Sequence, residues 1–286
     1  MKRFYLMLIT ICPIAFSFAG ELTRTETIQK EFAVGNPDHF ELIVDNIWGS
    51  VNITGGSGNS IEAVIRKTIA ARSETQMQRA VEEVSLDISD ESSLLEFYVD
   101  GPFRDQHRGR NFNHWDGRKY RVIYEFELKV PQNISIDIRT VNDGDINIEN
   151  VHGDYKIQHV NGKILMKELK GSGTAKTING DLICYFKQNP QDSCTFGSLN
   201  GDVKLYFQEP LSAEFAMKTF NGDAFSDFPL TYVSSAPEIT RKTNGEIRYR
   251  STHRYHAKAG KGGPIIKLDG FNGDLLIMKY HKGDQS

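Results

Sequence analysis

Three cysteines and two tryptophans occur in 286 residues, and neither sign of charge prevails: 34 Lys plus Arg face 37 Asp plus Glu, a net charge of −3. Such a balance exerts no global pull toward nucleic acid, and no nucleic-acid partner is expected. Cys184 and Cys194 are the cysteines beyond the N-terminal apolar run. Without clustered histidines they argue against structural zinc. They leave open either a disulfide or two buried apolar thiols. His107 and His114 stand seven apart, and His253 and His256 three apart beside Arg254 and Tyr255, without a metal-ligand pattern. No Gly-x-Ser-x-Gly elbow, phosphate loop or His-Glu-x-x-His segment occurs, so no catalytic residue is assigned and no enzyme is expected.

Long apolar runs are absent after the N-terminus. There, Met1-Lys2-Arg3 precedes an apolar Phe4 to Phe18, and Ser17-Phe18-Ala19 before Gly20 offers a small-x-small cleavage site. Residues 1–19 read as a secretory signal peptide, with the product in the periplasm, on the cell surface or outside the cell. The run falls short of the roughly twenty residues that span a bilayer, so no transmembrane segment is expected after its removal. Cys12 follows Ile11 inside the run, which argues against a lipid anchor. Loss of Lys2 and Arg3 takes the charge to −3 − 2 = −5 and leaves 286 − 19 = 267 residues. That is room for one large β domain or two small ones.

What is abundant is one phrase. Gly144, Gly153, Gly162, Gly171 and Gly180 fall nine residues apart, and Asn-Gly-Asp or a close relative surrounds several of them. The phrase returns at Gly201, Gly222, Gly245 and Gly273. Asn and Gly both tolerate positive φ, so each phrase reads as a tight corner. Apolar residues stand two and four places after most of these glycines, as Ile146 and Ile148, Ile164 and Met166, or Leu182 and Cys184. Val151, Val160, Leu169 and Ile178 stand two places before. This is period-2 alternation with one buried face, one short strand per corner. Such units bury their apolar faces only by stacking, the logic of a solenoid. Ala224 and Ser226 break the pattern after Gly222, which predicts an edge-like turn.

The N-terminal half also reads as strands, with Asn46-Ile47-Trp48-Gly49 as a degenerate first corner. Ser73 and Gln76 form a capping box, and Met77, Ala80, Val81 and Val84 follow with helical spacing. The spacing predicts a helix over 73–84 that packs on the sheet or caps the solenoid. Leu86/Ile88 and Leu95/Phe97/Val99 read as a hairpin. Residues 101–121 then concentrate Arg104, His107, Arg108, Arg110, His114, Trp115, Arg118 and Lys119. Basic and aromatic residues interleaved on a loop can bind an anionic polymer or a sugar. The alternative is a long solvated hairpin loop.

The expected architecture is all-β, a β-solenoid or β-helix-like stack of short strands with one helix. Residues 20–130 form an N-terminal β region and 131–286 the repeat solenoid, as one continuous domain. Asp45-Asn46-Ile47-Trp48-Gly49-Ser50-Val51, the Ala80-centred helix, Val130-Pro131 and the repeated Asn-Gly-Asp corners resemble a bacterial family of exported "putative adhesins", a domain family of unknown function. The resemblance implies a β-solenoid, a cell-envelope setting and no catalytic residues. A scaffold or binding module is therefore expected, with an envelope polysaccharide or surface protein as partner. Stacked corner acids (Asp145, Asp154, Asp181, Asp202, Asp223, Glu246, Asp274) leave two alternatives: structural Ca²⁺, or a carbohydrate-active pair of carboxylates. The glycine pattern of nine-residue calcium repeats is missing, and a periodic series singles out no pair, so neither a cofactor nor a metal site is assigned.

Overall fold

The computed structural model describes residues 8–10, 17–18, 21–104, 120–234, 239–243, 246–249 and 255–281. The protein is all-β and β-solenoid-like, with one α-helix among the described residues. It divides into two compact units, residues 1–153 with 157–162, and residues 154–156 with 163–286. In each, the chain alternates between two sheets.

The first unit contains β1 (Leu8–Thr10), β2 (Ser17–Phe18), β3 (Glu21–Ala33), β4 (Glu41–Asp45), β5 (Val51–Gly56), β6 (Ser60–Ala71), α1 (Glu74–Glu83), β7 (Ser85–Asp90), β8 (Leu94–Asp100), β9 (Tyr120–Pro131), β10 (Ser135–Thr140), β11 (Ile146–Glu149) and β12 (Tyr155–His159). One sheet runs β1-β3-β6-β9-β5-β11 and the other β12-β10-β4-β8-β7. The long strands β3, β6 and β9 pair antiparallel. From there the pairing turns parallel, β9 with β5 and β5 with β11, and opposite them β8 with β4 and β4 with β10. So β4–β5 and β10–β11 are coils that cross between sheets at a corner. Leu42, Val44, Val51, Ile53, Ile136, Ile138, Ile146 and Ile148 alternate inward and are at most 2% exposed. Each contributes about 1.5–3 kcal/mol by burial.

Ser73 caps the helix, its Oγ accepting from the Gln76 amide, while Gln76 Oε1 reaches past the N-cap to accept from the Arg72 amide. Met77, Ala80 and the C-cap Val84 are buried, and α1 lies against β6 and β9. Val81, expected on the apolar face, is exposed; the buried stripe is only as wide as Met77–Ala80–Val84. Beneath the helix, Lys67 Nζ donates to the Val84 carbonyl at 3.2 Å. Burial pushes its pKa below the ordinary lysine value although Glu26 opposes the shift. The hairpin β7–β8 forms as expected. The strands on either side of residues 101–121, β8 and β9, belong to different sheets and do not pair with each other. Residues 105–119, which hold most of the basic and aromatic side chains, lie outside the described residues.

The second unit contains β13 (Ile164–Leu169), β14 (Gly173–Asn179), β15 (Leu182–Phe186), β16 (Cys194–Asn200), β17 (Val203–Phe207), β18 (Ala213–Lys218), β19 (Ala224–Ser226), β20 (Leu230–Ser234), β21 (Ile239–Thr243), β22 (Glu246–Tyr249), β23 (Tyr255–Ala259), β24 (Ile265–Asn272) and β25 (Leu275–Lys279). One sheet runs β13-β15-β17-β25-β19 and the other β14-β16-β24-β18-β23-β20. Coil order therefore departs from chain order. The β24–β25 coil, last in sequence, lies between β16–β17 and β18–β19. As expected, β19 is an edge strand, short and exposed throughout. The phrase at Gly245 does not add a coil: Gly245 lies outside the described residues, and β22 pairs antiparallel with β21 in a separate hairpin. Phe186, Phe196, Phe207 and Phe215 fill this unit's core, Phe186 and Phe207 with centroids 4.9 Å apart. Cys184 and Cys194 are buried free thiols, not a disulfide; burial raises the pKa of both. Cys194 lies within 3.7 Å of the Tyr155 hydroxyl, which donates to it.

Candidate functional site: the corner edge

Corners of successive coils stack directly. A Cβ on Gly162 would meet the Gly144 carbonyl oxygen at 2.4 Å, one on Gly201 that of Gly180 at 2.2 Å, one on Gly273 that of Gly201 at 2.2 Å, and one on Gly222 that of Gly273 at 2.0 Å. Gly153 is similarly closed off by the Ile134 carbonyl. Gly171 lies in the bend between β13 and β14. Among the described corners, positive φ is confined to Gly49, Gly144, Gly180, Gly201 and Gly273. Close approach, more than dihedral freedom, is why these positions are glycine.

Nor, among the described residues, do the asparagines before the corner glycines (Asn142, Asn161, Asn179, Asn200, Asn221 and Asn272) adopt positive φ. They form amide ladders instead: Asn161 Nδ2 donates to Asn142 Oδ1 (2.6 Å), Asn200 to Asn179 (2.7 Å), Asn272 to Asn200 (2.7 Å) and Asn221 to Asn272 (2.8 Å). Stacked identical amides are the same device that stabilises in-register parallel sheets. The aspartates form a second ladder. Asp181 Oδ1 accepts from the Asp202 amide, Asp202 from Asp274 and Asp274 from Asp223, each at 2.9 Å. Each carboxylate satisfies a backbone donor of the coil stacked on it. That bond, with Lys204 at 3.1 Å, holds the Asp202 carboxyl below its ordinary pKa.

A third row is buried and polar. Three places before the corner glycine, or four before Gly144 where Asp143 adds a residue at φ 57°, a side chain bonds a stacked corner carbonyl. Thr140 Oγ1 donates to Gly49 (3.3 Å), His159 Nε2 reaches Gly144 (2.7 Å), Ser198 Oγ donates to Gly180 (2.8 Å) and Thr219 Oγ1 to Gly273 (3.0 Å). Asn46 does the same for the first corner, donating to the carbonyls of Gly49 and Tyr124. Sequence reasoning assigned the inward position one place later, to Val160 and Ile178. The row faces inward at His159 and Thr177, and Ile178 is exposed. A corner carbonyl turned into the coil needs a donor, and that requirement outranks apolar pattern. The signal was present as a recurring Thr, His or Ser beside the phrase.

Of the proposed binding residues, Arg104 is described and is already engaged. It pairs with Asp45 at 2.8 Å, donates to the carbonyls of Val99 and Asp45, and lies 4.5 Å above the Tyr98 ring. Nearby, Trp48 packs edge-on to Phe103, and Arg121 pairs with Asp143 at 3.6 Å. Arg104 thus ties the chain just after β8 to β4 and β8. His107, Arg108, Arg110, His114, Trp115, Arg118 and Lys119 lie outside the described residues. Among the described residues no group of three or more His, Cys, Asp or Glu side chains could hold a metal ion, and no helix is long and apolar enough to cross a membrane.

No curated protein matches the chain. A "putative cell adhesion protein" from Clostridium sporogenes aligns over 88% of this chain and 99% of its own, with 9% identity and a TM-score of 0.37. A "putative adhesin" from Bacteroides fragilis aligns over 89% and 97%, with 12% identity and a TM-score of 0.36. Likeness at that level carries no argument about activity. Residues 132–256, which begin just before β10 and hold most of the stacked corners, are similar to the family described as Toastrack DUF4097.

Proposed function

We propose that the protein is an exported, non-enzymatic, adhesin-like scaffold of the cell envelope, with an envelope polysaccharide or surface protein as its partner. The observation that carries this reading is the use made of the repeated acids. Asp181, Asp202 and Asp274, the side chains nearest to a catalytic or calcium-binding row, each accept a backbone amide of the next coil. They serve the stack, a use that favours a structural role for the row over that of a paired acid and base. The Toastrack match over residues 132–256 supports the scaffold part of the reading. Export rests on residues 1–19. No cofactor is required for folding, so chelation leaves the melting temperature of the purified protein unchanged.

The test has two parts. Fractionation with N-terminal sequencing is expected to place the product outside the cytoplasm, beginning at Gly20; an uncleaved cytoplasmic product overturns export. A glycan array and an envelope pull-down with the purified protein are expected to return a ligand. Binding is expected to weaken when Arg108, Arg110 and Arg118 are all changed to Ala. No ligand on either overturns the binding role.

A further inference from the structure

Two places before four corners of the second unit, those at Gly180, Gly201, Gly273 and Gly222, an apolar side chain points outward. In stacking order these are Ile178, Leu199, Phe271 and Phe220, exposed by 42%, 46%, 42% and 54%. The registers Thr177↔Ser198, Asn200↔Asn272 and Asn221↔Asn272 make them neighbours on adjacent coils. The rings of Phe271 and Phe220 stack at 4.9 Å with an interplanar angle of 4°. The result is one continuous apolar ridge. Exposed apolar rows of this kind mark interaction sites, and stacked aromatics are typical anchors.

The chemistry of the ridge and its flanks selects the occupant. Stacked rings turn their edges, not their faces, to the outside, which suits a dry protein surface better than a sugar stacked on an aromatic face. The flanks carry opposite charge. On one side lies the aspartate ladder Asp181, Asp202, Asp274 and Asp223. On the other, two places before the ridge residues, stand Lys176 and Lys218, with Gly197 and Asp269 in the coils between and Lys267 further out. Lys176, Lys218 and Lys267 are exposed.

We propose that this ridge is a homodimer interface, with a second copy of the chain related by a two-fold axis parallel to the ridge. That operation sets each ridge residue against its own counterpart. It also lays Lys176 and Lys218 over Asp181 and Asp223 of the other copy and Asp269 over Asp274, so that opposite charges meet in two of these three registers of an isologous patch with an apolar centre and a charged rim. A two-fold axis across the ridge would instead place lysine on lysine and aspartate on aspartate, which is repulsive.

Asp223 provides a clean test. It sits on the last coil, gives its amide to Asp274, and its carboxylate supports no coil beyond. Sedimentation of the purified full chain is expected to show a dimer whose dissociation constant rises with salt. Lys218→Asp or Asp223→Lys alone is expected to raise that constant about tenfold or more, and the double swap Lys218→Asp/Asp223→Lys to restore it. Leu199→Cys is expected to cross-link to itself under oxidation with an unchanged melting temperature. A monomer throughout the micromolar range overturns the interface. So does a dimer indifferent to the charge swap, which would use another face. A monomer whose melting temperature falls on Leu199→Asp also overturns it, because the chain itself would then cover the ridge.

Discussion

A methyl group on Gly201 would lie 2.2 Å from the Gly180 carbonyl oxygen, a backbone atom that cannot yield without parting two coils. Gly201→Ala is therefore expected to destabilise the protein by about 3 kcal/mol or more, read as a fall in the denaturation midpoint. Gly56→Ala, where the nearest atom is 4.0 Å away, should be nearly neutral. His159 offers a second test, because it is 3% exposed, accepts from the Val160 amide at 2.9 Å and serves the Gly144 carbonyl. His159→Ala removes that partner and leaves a void, a loss of about 2–4 kcal/mol. His159→Ser, which imitates Ser198, should recover part of it if the bond matters beyond the volume. Glycine was legible in the sequence at both kinds of corner. Its reason was not, since positive φ and a blocked Cβ leave the same letter. His159 was legible only by comparison with Ser198 and Thr219, each three places before its corner glycine; taken singly, a histidine carries no sign of which way it points.

At the level of elements, the order of coils is the least expected feature. Spacings of 21 residues from Gly180 to Gly201 and from Gly201 to Gly222 invite stacking in chain order. Instead β24–β25 is inserted, and Asn200 neighbours Asn272. Adjacent parallel strands lie about 4.8 Å apart, within disulfide reach. Asn200→Cys/Asn272→Cys is thus expected to cross-link on oxidation, and Asn200→Cys/Asn221→Cys is not. Mass spectrometry of the oxidised variants decides between the two orders. The corners at Gly180, Gly201, Gly222 and Gly273 carry the same Asn, Gly and Asp, so any of these coils could dock on any other by local rules alone. The phrase encodes how coils stack and is silent on which coil stacks on which. The same ambiguity explains Glu246–Tyr249: its alternation suits a coil strand, yet it finds its partner in β21.

Across the molecule, acid is expected to loosen the corner edge. The Asp202 carboxyl has a pKa below its ordinary value of 3.8, through the Asp274 amide and Lys204. Its contribution to stability is complete above that value and is lost as pH falls through the lower, folded one. Denaturation midpoints measured from pH 7 downward should drop over that window, and the drop should be smaller in Asp202→Asn. The sequence by itself determined the all-β class, the corners, the capped helix and the edge character of β19. These depend on residues close in the chain, whose periodicity states which side faces inward. Tertiary structure alone decided the coil order, the placement of β8 and β9 in different sheets, the free state of Cys184 and Cys194 and the apolar ridge. Each of these depends on which strand lies beside which, and identical corners make many such pairings locally equivalent. The global choice falls to the few unlike features, such as Phe220 stacked on Phe271.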